Sequence, residues 1–78
     1  MDRDSILEKV VSLTAETLDV EADDLSADSV FKELGADSFD LLELVTAFED
    51  EFGRTLEDED LEAIVNLGDA VDAIERAL

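Results

Sequence analysis

The 78 residues include no cysteine, no histidine and no proline, and only five of them are basic. The lack of cysteine excludes a disulfide framework and a thiolate metal site. With histidine missing too, the usual base for activating a serine and the usual soft metal ligands are both absent, which argues against a self-contained hydrolase or a zinc enzyme. A serine used chemically here has to be modified by another protein. Against the five bases stand 24 acids, for a net charge of -19 at pH 7. That charge works against nucleic-acid binding and against adsorption to anionic membranes, and it suits partners with basic surfaces. The acids do not read as a calcium loop, because neither Glu21 to Asp28 nor Asp58-Glu59-Asp60 has the alternating oxygen ligands, central glycine and final glutamate of an EF-hand; no metal site is expected. No apolar run approaches the roughly 18 residues of a membrane span, and Met1-Asp2-Arg3-Asp4 lacks the basic and apolar regions of a signal peptide. A soluble chain in the cytoplasm, or an equivalent internal compartment, is the expectation.

What is present is 46% hydrophobic residues spaced at helical periods, which argues against the disorder that such charge could otherwise impose. Ser5 and Glu8 read as a capping box for a first helix running to about Leu18, with Ile6, Leu7, Val10, Val11, Leu13 and Leu18 on one broad face. A long connection from Asp19 to Leu34 follows, in which Val20, Leu25, Val30 and Phe31 are placed to fold back on the core. Gly53 stands where a left-handed cap should end the second helix. Glu57 to Val65 reads as a short third helix with Leu61, Ala63, Ile64 and Val65 as its apolar set. A fourth begins with Asn66 as N-cap, and Leu67, Ala70, Val71, Ile74 and Leu78 repeat at i, i+3, i+4, i+7 and i+11. No β-type alternation, repeat or proline-rich linker competes. The expected fold is all-α, a small four-helix bundle of three longer helices and one short third helix, with a long loop after the first. It is expected to be one domain, near the lower size limit of independent folding.

The chain is organised around Gly35 to Phe52, where a glycine-containing turn delivers Ser38 to the first turn of the second helix. Asp37 is a good N-cap and Asp40 lies three residues on. A helix start favours negative charge through its unpaired N–H groups and its dipole, so a hydroxyl there could carry a phosphate ester. Capping alone would also account for Asp37 and Ser38. Along the helix, Leu41, Leu44, Val45, Phe48 and Phe52 form the core stripe. Phe39 and Leu42 point nearly the other way, among Glu43, Thr46, Glu49 and Asp50. Two large apolar groups one turn apart in acidic company are a docking surface unless another element covers them.

Leu34-Gly35-Ala36-Asp37-Ser38, followed by Asp40, Glu43-Leu44-Val45 and Glu49-Asp50-Glu51-Phe52, resembles the prosthetic-group motif and second helix of acyl carrier proteins. The resemblance extends from Ile6 to Ile74 and implies a single acyl-carrier-like domain over residues 1–78, monomeric, a carrier and not a catalyst. It implies that Ser38 carries 4'-phosphopantetheine derived from coenzyme A, with Asp37 both capping the helix and contacting the metal-assisted phosphopantetheinyl transferase. The arm's thiol would hold acyl intermediates as thioesters and move them between enzymes of fatty-acid biosynthesis. An apolar interior sheltering the acyl chain points to Phe31, Leu41, Leu44, Val45, Phe48, Ala63, Ile64 and Val71, all of which serve equally as core. Partners would be the transferase and basic-surfaced ketosynthases, reductases and acyltransferases, meeting Phe39, Asp40, Leu42, Glu43, Thr46, Glu49 and Asp50. The chain departs from the family pattern at Phe39, where leucine is usual, and at Leu56-Glu57-Asp58, where proline is common. The Phe31 to Gly35 segment is one residue shorter than in the usual fatty-acid form and resembles polyketide-type carriers. A carrier for polyketide, aminoacyl or other specialised chains therefore stays open. So does an acidic protein-interaction module with no prosthetic group.

Overall fold

The computed structural model describes Asp2 to Leu78, and among these residues there are four α-helices and no strand. The first, α1 (Arg3–Leu18), starts three residues before the position that Ser5 as N-cap would give it. Asp2 is the cap: its carboxylate accepts the Ser5 N–H at 2.8 Å, and that bond holds its carboxyl below the ordinary value of 3.8. A carboxylate takes this role over a hydroxyl because it also complements the helix dipole. Ile6, Val10 and Thr14 form the buried edge of α1, while Leu7, Val11, Leu13 and Leu18 are half-buried around it. The helix ends at Asp19, which takes the left-handed conformation at φ 56° and donates its N–H to the Ala15 carbonyl.

Two short 3-10 turns, Ala22–Asp24 and Phe31–Leu34, break the connection that follows. The second buries Phe31 and ends at Gly35, whose φ of 92° only glycine adopts without strain. The second long helix, α2 (Ser38–Phe52), then opens on a reciprocal capping box and closes on Gly53 in the left-handed region. Leu44, Val45 and Phe48 carry its stripe into the core, with Leu41 and Phe52 half-buried at the ends. A third helix, α3 (Asp58–Ala63), is only six residues long, shorter at both ends than Glu57 to Val65. Its end is set by tertiary pairing. The Val65 carbonyl accepts the Phe31 N–H at 3.1 Å, and Val30 and Asn66 form an isolated antiparallel bridge, so Ile64 and Val65 are drawn out extended.

The last helix, α4 (Leu67–Ala77), buries Leu67, Ala70, Val71, Ala73 and Ile74; Leu78 falls beyond its end and is exposed. Three backbone donors that a helix start normally leaves unpaired are satisfied here. Leu67 N–H reaches the Ser29 carbonyl at 3.0 Å, Gly68 N–H the Ala27 carbonyl at 2.8 Å, and Asp69 N–H the Asn66 side chain at 2.7 Å. The long loop is thereby strapped across the start of α4. Helix α1 packs on both α2 and α4, α3 leans on α4, and Phe31, Leu56 and Ile64 close the core between them.

Candidate functional site

Ser38 is the first residue of α2, exposed, with no hydrogen bond to its hydroxyl among the described residues. Its position is fixed from both sides. Upstream, Phe31 is buried, and its carbonyl accepts the N–H groups of Gly35 and, at 3.1 Å, Ala36, so the turn is tied to a core side chain. Downstream, Asp40 N–H donates to Asp37 at 2.9 Å while Asp37 N–H donates to the Asp40 carboxylate at 3.3 Å. The box uses the third helical N–H and leaves those of Ser38 and Phe39 without an acceptor among the described residues. Two free N–H groups, a positive dipole end and an exposed hydroxyl share one helix start, an arrangement suited to a phosphate ester.

Two grooves meet at Ser38. The larger, about 480 Å³, runs between the second 3-10 turn and the extended stretch after α3; Val30, Phe31, Leu41, Ile64 and Val65 form its apolar wall, and Lys32 and Ser38 line it as well. Its volume lies in the range of about 300–1,000 Å³ typical of small-molecule pockets. The smaller, about 170 Å³, lies between α2 and α3 and is lined by Leu41, Leu42, Val45 and Leu61 beside Ser38. The side chains named from sequence as an acyl-chain lining are thus divided. Phe31, Leu41, Ile64 and Val45 line a groove, whereas Leu44, Phe48 and Val71 are wholly inside the core and line neither. Ala63 is exposed, because Leu61 and Ile64 are the residues that α3 and its end turn inward. Val30, Leu61 and Val65 were missing from that set. Val65 is 56% exposed and belongs to no helix, so helical periodicity carries no signal for it.

On the outer side of α2, Phe39 is 71% and Leu42 60% exposed, and no third element among the described residues covers them. With Glu43, Thr46, Ala47 and Asp50 they form an apolar depression of about 390 Å³ rimmed by acids. Glu49 is not part of it. Its carboxylate is half-buried and accepts the Leu56 N–H at 2.8 Å, holding the loop after α2 against the helix, so its place on the wheel misleads. Asp40 is half-buried in the capping box, and the Thr46 hydroxyl donates back to the Leu42 carbonyl at 3.0 Å. Among the described residues no cluster of three or more His, Cys, Asp or Glu could hold a metal ion, and no helix is long and apolar enough to cross a membrane.

Residues 8–74 match the family model described as a phosphopantetheine attachment site. The chain is 42% identical to an acyl carrier protein of Petrotoga mobilis over 79 aligned positions, covering 100% of this chain and 93% of that protein. It is 46% identical to one of Prochlorococcus marinus over 76 positions, covering 96% and 95%. A solved structure of the acyl carrier protein from Enterococcus faecalis superposes with a TM-score of 0.81 at 39% identity, over the full length of both chains.

Proposed function

This chain belongs to the acyl carrier proteins, the phosphopantetheine-bearing carriers, and we propose that Ser38 is the residue to which the prosthetic group is joined. The observation that carries this reading is the exposed Ser38 hydroxyl at the start of α2, beside two unpaired N–H groups and at the junction of two apolar grooves. Those N–H groups would receive the phosphate oxygens, and the grooves would receive the apolar parts of arm and cargo. When bound, the group supplies a terminal thiol that holds acyl chains as thioesters. Ser38 contributes the nucleophilic oxygen for attachment; its bond to phosphorus forms as the diphosphate linkage of coenzyme A breaks and adenosine 3',5'-bisphosphate leaves. The chain has no histidine or cysteine to activate that oxygen, which fits its modification by another protein. The protein acts as a carrier and not a catalyst, serving acyl-processing enzymes of fatty-acid biosynthesis from the cytoplasm.

The exposed pair Phe39 and Leu42 supports a docking face for those enzymes. From Glu33 to Asp50 there are six acids and no Lys or Arg, so a basic patch meets no repulsion along this stretch. Charge raises the encounter rate, and the two apolar side chains supply the desolvated contact. Intact-mass analysis with coenzyme A and a carrier-protein phosphopantetheinyl transferase tests the reading. One arm should be added, and none to Ser38→Ala. An unchanged mass with several active transferases, or a gain that persists in Ser38→Ala, would overturn it.

A further inference from the structure

Only five side chains of this chain are basic, and three of them join helices. Arg3 on α1 pairs with Asp72 at 2.7 Å and Glu75 at 3.2 Å on α4; Lys9 on α1 pairs with Glu51 on α2; Arg76 on α4 pairs with Asp60 on α3. Arg54 lies just past the far end of α2 and donates to the Gly53 carbonyl. Lys32 has no carboxylate within 4 Å among the described residues, and it lines the groove that opens at Ser38. The backbone under it is held firmly. Its carbonyl accepts the Gly35 N–H at 3.2 Å, and its neighbour Phe31 is buried and bonded to the Val65 carbonyl.

A phosphodiester on Ser38 would bring a further negative charge to a helix start already occupied by Asp37 and Asp40, in a chain at -19. The N–H groups of Ser38 and Phe39 offer hydrogen bonds and partial charge, but among the described residues Lys32 is the one full cation on that groove. A lysine also suits the wall, since its apolar stem can lie along Val30 and Val65 while the ammonium stays in water. We propose that Lys32 is the counter-charge for the phosphodiester on Ser38 and biases the arm toward the larger groove, against Ile64 and Val65. This rests on Ser38 being the attachment residue. Lys32 acts as a positioning residue and takes no part in forming the bond.

The test compares amide chemical shifts of the apo and loaded protein in low salt. In the wild type, loading should shift Val30, Phe31, Ile64 and Val65 as well as the start of α2. In Lys32→Gln the changes at those four amides should be lost, and in Lys32→Arg retained. Arg54→Gln removes the same charge away from the groove and should behave as wild type, which separates a local effect from net charge. Because Lys32 is exposed, the variants should fold. Loading shifts confined to Asp37–Asp40 in the wild type, or unchanged in Lys32→Gln, would overturn the role of Lys32 while leaving Ser38 as the attachment residue. A mass that does not change on loading removes both.

Discussion

Thr14 lies wholly inside the core on α1, with its hydroxyl unpaired among the described residues. Periodicity gives no reason to place a polar residue there, and no part of the carrier function uses it. A buried hydroxyl left without a partner costs about 1–3 kcal/mol, whereas an apolar group of the same shape restores the loss. Valine differs from threonine by that hydroxyl and has a similar helix propensity. Thr14→Val should therefore raise stability by about 1 kcal/mol, read as a higher urea midpoint with an unchanged slope. A lower midpoint would show that the hydroxyl is paired in solution. Ser38 presents the opposite case at this scale. It too has no hydrogen bond to its hydroxyl among the described residues, but it is exposed, so leaving it free for modification carries no burial cost.

The elements differ in how far each is determined by its own residues, and α2 is determined most fully. Its two faces make different demands: Phe48 is 1% exposed in the core, while Phe39 and Leu42 stand in solvent. Phe48→Ala should cost about 3–5 kcal/mol in a denaturant melt, and Phe39→Ala with Leu42→Ala together no more than about 1 kcal/mol. The double variant should instead weaken binding to the transferase and pathway enzymes. Equal losses of stability would mean that the outer pair is core, and the docking face would have to be sought elsewhere. The caps Asp37, Gly53 and Asn66 and the stripes of α1, α2 and α4 were legible because each is settled within a turn or two of its own sequence. What was not legible depends on distant chain. The bond from Phe31 to Val65 shortens α3, and the strap of Ala27 and Ser29 crowds Gly68, where a Cβ would lie 3.1 Å from the Ala27 carbonyl oxygen, tighter than ordinary contact. Leu56 is buried and Glu49 is withdrawn from the outer face by one bond between them, which ties the loop after α2 back to the helix and which helical periodicity does not signal. At the site, the position of Ser38 was readable from the cap and the turn, whereas the larger groove is made by two segments more than thirty residues apart in sequence, Val30 to Lys32 and Ile64 to Val65.

Over the whole molecule, the charge that suits the partners also strains the fold. The ion pairs of Arg3, Lys9 and Arg76 link each helix to a neighbour, but they are surface pairs, and such pairs contribute about 0–1 kcal/mol each. They engage four of the 24 acids, and the remainder repel one another across a small surface. Salt weakens both effects. Because unpaired acids far outnumber the pairs, relief of repulsion should win, and the melting temperature should rise as salt increases from 0.01 M to 0.1 M, where the Debye length falls from about 30 Å to about 10 Å. Millimolar Mg²⁺ should act in the same direction, since it too offsets the repulsion among the acids. Association with a basic enzyme should respond in the opposite sense, slowing as salt rises, because the same field that strains the free chain steers the encounter. A melting temperature that stays flat or falls across this range would mean that the three sets of ion pairs outweigh the repulsion, and Arg3→Gln would then cost more than the 1 kcal/mol or so expected of a surface pair.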